Sequence, residues 1–345
     1  MTSMCGWIAA IVVASGALGC GDNTKPATPV DSSVDAGRTE VERGRYIMNN
    51  LGACTFCHTP LNPDGSRDLT RLLAGVDCLA DIAPDNVPNP GDGVGVGCIS
   101  SRNLTNDATG LKNVTDQQIK DAIRMGTRTD GKTLAPVMPY WIFHNMTDAD
   151  LDAVVAYLRT VPGVSHTVQP NEPPWSVIND NGPLAALIDP ADIPMPVNAG
   201  ADEASALRGR YLSGMAGLCI DCHTPDLPPT GIRPIDITRA YAGGRMFPKQ
   251  QLGLLDPSYP DFITTRNLTP DATGLQTFTV ADLERAIAEG KDKNGNGVCA
   301  ATHGNAISPY AALDPQDLTD IATYIHYLAP VVNDTGADCM GPPVP

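Results

Sequence analysis

Apolar positions fall into sharply different patterns along this chain. Trp7-Ile8-Ala9-Ala10-Ile11-Val12-Val13-Ala14 is an unbroken apolar run near the N-terminus, too short to cross a bilayer as a helix. From Gly21 to Gly37 the stretch GDNTKPATPVDSSVDAG has almost no apolar period and predicts a flexible tether. Helical spacing then appears twice, in the same order. Thr115 precedes Ile119, Ala122 and Ile123, and Thr279 precedes Leu283, Ala286 and Ile287, each predicting an amphipathic helix opened by a capping threonine. Leu151, Val154, Val155 and Leu158 predict a closing helix, and Leu318, Ile321, Ala322 and Ile325 predict another. Between the two sets, Pro162 to Ala199 is rich in proline and asparagine and reads as linker.

The order repeats because the sequence does. Arg43-Gly44-Arg45-Tyr46 returns as Arg208-Gly209-Arg210-Tyr211, and Pro139-Tyr140 returns as Pro309-Tyr310. Asn103-Leu104-Thr105-Asn106-Asp107-Ala108-Thr109-Gly110-Leu111 returns at Asn267–Leu275 with only Pro270 in place of Asn106. Cys54-Thr55-Phe56-Cys57-His58 returns as Cys219-Ile220-Asp221-Cys222-His223, and both run on into Thr-Pro. Cys-x-x-Cys-His is the attachment signature of a c-type haem. Its spacing lets two thiols reach vinyl groups on one edge of the ring while the adjacent imidazole falls under the iron. A zinc site needs four ligands per copy, and a redox dithiol has no use for the trailing histidine. Two covalently attached haem c groups are therefore expected, on Cys54 and Cys57 and on Cys219 and Cys222, with His58 and His223 as axial ligands.

Composition sharpens this. A length of 345 residues suits two domains, and 33 glycines with 31 prolines make a loop-rich chain. Aromatic residues at 5% are few for a packed core, a shortage that two macrocycles would offset. The net charge of −16 argues against nucleic-acid binding, which wants a basic face, and fits an acidic protein that meets a basic partner.

The order helix, haem motif, long loop, helix, ligand loop, closing helix resembles class I cytochrome c. More closely, Arg43–Tyr46, Cys54–Pro60, Arg102–Leu111, Asp130–Tyr140 and Met146–Pro162 are together similar to the multihaem cytochrome c subunits of membrane-associated alcohol and aldehyde dehydrogenases. The resemblance implies a mainly α fold of two tandem class I cytochrome c domains, each a small helical fold wrapped round one covalent haem. Those subunits often carry three haems, whereas this chain has two motifs. The expected layout is a signal peptide at 1–19, a lipid-anchored tether at 20–38, cytochrome domains at 39–165 and 201–345, and a Pro-rich linker at 166–200. Ala17-Leu18-Gly19-Cys20 resembles a bacterial lipoprotein box, with Cys20 as the lipidated residue; an ordinary signal peptide with a spare cysteine is the other reading. The resemblance further implies export to the periplasm of a Gram-negative bacterium and a membrane held only through the lipid. The implied role is an electron carrier between a dehydrogenase or other redox partner and a respiratory chain, with no small-molecule substrate.

The sixth ligands decide what each haem can do. Ala135-Pro136-Val137-Met138-Pro139-Tyr140 resembles the family's distal loop, with Met138 as the thioether ligand; Met125 and Met146 sit in helical or capping contexts. Aligning the two Pro-Tyr pairs puts Ser308 where Met138 stands, and a hydroxyl is a poor ligand for haem iron. His303, as far from His223 as Met138 is from His58, is the preferred substitute; Met246 and an open iron stay as alternatives. An open second iron would instead fit a dihaem peroxidase-type enzyme.

The remaining cysteines read as structural, in the pairs Cys78 with Cys98 and Cys299 with Cys339. Arg102 and Arg266, each directly before Asn-Leu-Thr, are candidates to meet haem propionates. Asp292-Lys293-Asn294-Gly295-Asn296-Gly297 resembles the start of a calcium loop but lacks the closing glutamate, and a polar turn is the plainer reading. His144, His166 and His326 read as solvated.

Overall fold

The computed structural model describes residues 37–336 apart from 64, 82–97, 136, 174–175, 177–186, 228–234, 249–259, 261, 299–302 and 304–307. The expected lipidation site Cys20 and the expected Cys299–Cys339 pair lie outside the described residues.

Two halves carry the same elements in the same order, except that a 3-10 turn at Pro309–Ala312 in the second stands where the first has a short helix. In the first, α1 (Glu40–Tyr46) runs on through a π-turn at Ile47–Leu51 to the short α2 (Cys54–His58). An antiparallel ribbon of β1 (Val76–Asp81) and β2 (Cys98–Ser101) follows, then α3 (Asp116–Met125), α4 (Tyr140–Phe143) and α5 (Asp148–Thr160). The second half has α6 (Glu203–Gly214), α7 (Cys219–Cys222), a ribbon of β3 (Met246–Pro248) and β4 (Phe262–Thr264), α8 (Val280–Glu289) and α9 (Pro315–His326).

The expected caps Thr115 and Thr279 are present, and Thr39 adds a third. Thr39, Thr115 and Thr279 each accept a hydrogen bond from the third residue of their helix, whose side chain reaches back to the cap N–H. The amphipathic pair α3 and α8 both end on glycines in the left-handed region, Gly126 and Gly290. The ribbons are what the sequence reading lacked. β1 and β2 form one in the first half, and β3 and β4 form another at the corresponding place in the second. Cys78 and Cys98 are disulfide-bonded across the first ribbon.

The first and last helices of each half cross at a glycine. A Cβ on Gly44 of α1 would overlap the carbonyl of Ala153 on α5, and one on Gly209 of α6 would overlap the carbonyl of Asp320 on α9. The glycine's propensity cost in each helix is offset by that close approach. Arg43 and Arg208 brace the crossings. Arg43 grips Asp150 through Nε at 2.8 Å and a terminal nitrogen at 2.9 Å, and Arg208 meets Asp317 at 2.5 Å and Asp320 at 2.6 Å. All five side chains are buried, so each charge depends on its partner.

The halves are joined by a reciprocal pair of contacts. The Tyr211 hydroxyl of the second half donates to Asp150 of the first at 2.6 Å, and the Tyr46 hydroxyl of the first donates to Asp317 of the second at 2.7 Å. Each phenol oxygen also accepts the N–H at the start of the helix it meets, from Thr147 and from Asp314, both at 3.2 Å. One continuous apolar core, from Tyr46 and Leu151 to Tyr211 and Ile325, runs under this seam.

The segment read as linker packs at both of its described ends. Val164, His166 and Gln169 bond into the first half. Ile193 is fully buried, and the Arg210 guanidinium holds the carbonyls of Pro190, Ile193 and Pro194. His166 is anchored rather than solvated: its Nδ1 lies 2.8 Å from the Ala74 carbonyl and its Nε2 3.0 Å from Asp77.

Two outcomes follow. Gly209→Ala should lower the unfolding free energy by about 1–3 kcal/mol, since the added methyl forces the crossing apart; a denaturant titration reads it. Burial pushes the phenols of Tyr46, Tyr211, Tyr241, Tyr310 and Tyr324 upward. Because the unfolded phenol titrates near pH 10, their stabilising contribution is intact below about pH 10 and is lost as pH rises towards the native values. Thermal midpoints should therefore fall steeply from about pH 10 to 12, less so in a Tyr46→Phe, Tyr211→Phe double variant.

Candidate functional site

Each Cys-x-x-Cys-His forms one short helical turn, and all four cysteines are half-buried thiols outside any disulfide. Burial pushes the Cys54 and Cys219 thiols up to about 12, so they are held as neutral thiols. The residue after each histidine, Thr59 or Thr224, is fully buried, and its hydroxyl accepts a backbone N–H at 3.1 Å, from Leu73 or Tyr241. The histidine carbonyls accept from Gly75 and Gly243, which adopt positive φ of 82° and 68° and have no room for a Cβ.

The two imidazoles are oriented identically. His58 Nδ1 lies 2.8 Å from the carbonyl of Arg102, and His223 Nδ1 lies 2.8 Å from the carbonyl of Arg266. Nδ1–H donation to a carbonyl leaves Nε2 as the free lone pair, the tautomer a metal needs. Burial lowers both imidazole pKa values, that of His223 to about 4, so both rings are neutral at pH 7.

The repeated Asn-Leu-Thr motif holds those carbonyls. Asn103 and Asn267 are buried; each carboxamide oxygen accepts the N–H and hydroxyl of the threonine two residues on. Their amides donate to Val164 at 2.9 Å and Val331 at 2.8 Å. The sequence shows the repeat and points to the side chains of Arg102 and Arg266 as propionate partners. The structure gives their main-chain carbonyls a role of their own, invisible in sequence because any residue type carries a carbonyl. Both side chains are half-buried rather than on the open surface.

The third position of each motif is met by an arginine. The Arg67 guanidinium stacks 4.2 Å above Phe56, and the fully buried Arg245 pairs with Asp221 and, at 3.1 Å, with Asp226.

The distal sides differ. Met138 is half-buried against the core, at the turn between Ala135 and Tyr140. In the second half Ser308 caps a 3-10 turn, accepting the Tyr310 N–H, while His303 turns toward the motif. The His303 and His223 rings lie with centres 6.3 Å apart and planes at 46°. His303 Nδ1 faces the Ile287 carbonyl at 3.3 Å, so its Nε2 is also the free nitrogen. Metal–imidazole bonds of about 2 Å on opposite sides of one iron place two ring centres roughly 6 Å apart. The residues fit a haem between them. Met246 lies in the β3–β4 ribbon opposite Thr264.

The other candidates go elsewhere. Asp292 spends its carboxylate on the N–H groups of Asn294 and Asn296 and on the Asn296 amide, a self-satisfied turn. No group of His, Cys, Asp and Glu suited to a metal ion occurs among the described residues. His144 Nδ1 rests 3.3 Å from the Arg124 carbonyl, and His326 packs edge-on against Tyr327.

No family model matches the chain. It is 32% identical over 205 residues to the cytochrome c subunit of the quinone alcohol dehydrogenase of Gluconacetobacter polyoxogenes, covering 57% of this chain and 38% of that one. It is 30% identical over 189 residues to the gluconate 2-dehydrogenase cytochrome c subunit of Pantoea cypripedii, covering 54% and 38%. A diheme cytochrome c-type protein of Cereibacter sphaeroides is 31% identical over 127 residues, 36% of each chain. The chain thus resembles the cytochrome c subunits of dehydrogenases, as its motifs imply, while spanning under two fifths of the first relative's length. Its helix-rich architecture fits a cytochrome fold.

Asn267→Leu would leave the buried Thr269 N–H without its acceptor and take the amide donor away from the Val331 carbonyl, which keeps only the Thr269 hydroxyl. It should cost about 1–3 kcal/mol and loosen the Arg266 carbonyl beside it, which chemical denaturation checks.

Proposed function

We propose that this chain is a dihaem c-type cytochrome that accepts electrons from a dehydrogenase and passes them toward a respiratory chain. Two tandem class I cytochrome c domains, 39–165 and 201–345, each hold one haem, attached through Cys54 and Cys57 and through Cys219 and Cys222. His58 and Met138 ligate the first iron, and His223 and His303 the second. The observation that carries this reading is the pair His223 and His303, with ring centres 6.3 Å apart and each Nδ1 turned to a carbonyl so that Nε2 is left free, beside a Cys-x-x-Cys held as thiols.

Haem supplies one-electron exchange between ferrous and ferric iron. The chain's residues fix everything else. Burial holds the imidazoles neutral, the Arg102 and Arg266 carbonyls fix their tautomer, and the buried Arg245 neutralises Asp221 beside the second attachment site. With haem bound, Met138 and His303 would take the second ligand position at each iron and leave none for a substrate, which favours electron transfer over peroxide chemistry. Ser308 in the place of Met138 and the unmatched loop before it favour a peroxidase-type enzyme, and His303 would supply the donor that Ser308 lacks. A thioether ligand raises the potential, so the first haem would be the stronger oxidant and the second the entry point. Arg102 and Arg266 stand as propionate candidates. Export, lipidation at Cys20 and a Cys299–Cys339 disulfide complete the proposal, with a membrane held by lipid alone; no described helix is long and apolar enough to cross one.

The test is an absorption spectrum of the purified full chain, oxidised and reduced, with and without carbon monoxide, alongside haem quantitation. Two haems per chain and no carbon monoxide binding are expected. His303→Ala should leave the first haem's spectrum intact, turn the second high-spin and admit carbon monoxide to it. An unaltered second haem would remove His303 from the ligand set, and carbon monoxide binding with peroxide turnover in the parent protein would favour the peroxidase.

A further inference from the structure

The segments that lead into the two haem motifs touch one another. Gly217, just before Cys219, packs on the carbonyl of Leu51, just before Cys54, so that a Cβ there would sit 3.4 Å from that oxygen. The Asn50 amide of the first half donates to the Pro309 carbonyl of the second at 2.7 Å. The residue after Pro309 is Tyr310. Its ring stacks on His303 with centres 5.2 Å apart and planes at 24°, and it packs against the common core. The turn that carries Tyr310, Pro309–Ala312, packs against Ile47–Leu51, the segment that leads into the first motif. The counterpart of Tyr310, Tyr140, is fully buried and lies against Gly126 instead.

We infer that Tyr310 is a positioning residue for electron transfer between the two haems, its ring filling the seam where the two attachment motifs meet. The inference rests on the dihaem reading above. In the step it would serve, one electron would pass from the iron that His223 and His303 would hold to the iron that His58 and Met138 would hold, the first oxidised from ferrous to ferric and the second reduced from ferric to ferrous. No bond forms or breaks and no proton moves. Tyr310 remains a neutral phenol, and the electron is supplied from outside by a reduced dehydrogenase. Its ring does two things a smaller side chain cannot: it keeps the His303 plane fixed, and it excludes water from between the motifs. Low reorganisation in a dry seam is what makes a short electron step fast.

The experiment uses the holoprotein and two variants, Tyr310→Leu and Tyr310→Phe. A flash-generated one-electron reductant is added at less than one equivalent, and the redistribution of the electron between the His/His and His/Met haems is followed by absorbance. Tyr310→Leu should slow redistribution severalfold at unchanged haem content and midpoint potentials, and Tyr310→Phe should retain the parent rate. A second readout needs no kinetics: in the parent protein the ring proton resonances of Tyr310, identified by their loss in Tyr310→Phe, should shift when either iron is made ferric. Two haems with parent spectra but an unaltered rate in Tyr310→Leu, or ring resonances blind to the first iron, overturn the assignment of Tyr310 alone. A chain returning fewer than two haems overturns the dihaem reading, and the assignment with it.

Discussion

The hydrogen bond from a histidine Nδ1 to the main-chain carbonyl of Arg102 or Arg266 is the constraint on which the rest of each half depends. A buried imidazole can turn about two bonds and exist in two tautomers, and only one combination aims Nε2 at a metal beside two thiols. Fixing it requires a carbonyl that cannot move, and a carbonyl is fixed only by the backbone around it. The Asn103 and Asn267 side chains lock that backbone from one side. From the other, the Thr59 and Thr224 hydroxyls and the glycines at 75 and 243 tie the motif's own main chain to the same loop. Each ribbon and each return of the chain after the closing helix brings these pieces within reach.

The seam between the halves obeys a second constraint, that a buried charge must have partners. Asp150 and Asp317 occupy the third position of α5 and α9, where the helix N-terminus favours a carboxylate. Each is paired to an arginine from its own half and a tyrosine from the other. Neither half can leave without stranding an acceptor inside the other, so the contact specifies one relative placement rather than a family of them. A duplicated chain produces such reciprocity readily, because a Tyr–Asp complementarity present in one copy is present twice when the copies meet about a two-fold axis. The same placement puts Leu51 against Gly217 and Asn50 against Pro309.

Much of this was legible in the sequence where local chemistry sets the outcome. Thr115 and Thr279 cap their helices because an oxygen at that position suits the first-turn N–H groups in any context. Leu151, Val154, Val155 and Leu158 are buried because their spacing gives them one face. The ribbons were not legible: three-residue strands such as β3 show no alternation, and their pairing depends on where distant glycines let the chain turn. Nor were the acceptors of His58 and His223, because a carbonyl leaves no trace in residue type. The packed ends of the linker were hidden for a related reason. Pro190 and Pro194 read as spacers by composition, and only the fold shows Arg210 reaching across to gather their carbonyls.

The two halves agree on the proximal side almost bond for bond and part company on the distal side, and the difference has a physical logic. Proximal geometry is over-determined, since carbonyl, asparagine, threonine and glycine must all agree, and a change in any one strands a buried polar group. The distal loop is held to a looser requirement, because only one donor atom must arrive at the right height over the ring. On the dihaem reading Met138 would do so from a turn stiffened by Pro139. His303 would do so from farther back in its loop, where the Ile287 carbonyl and the Tyr310 ring steady it, while Ser308 caps the turn that carries Tyr310. On the dihaem reading, duplication followed by divergence in this loop alone turns two equivalent electron sites into a pair of unequal potential. A gradient of that kind needs no new fold, only a second way to fill one coordination position.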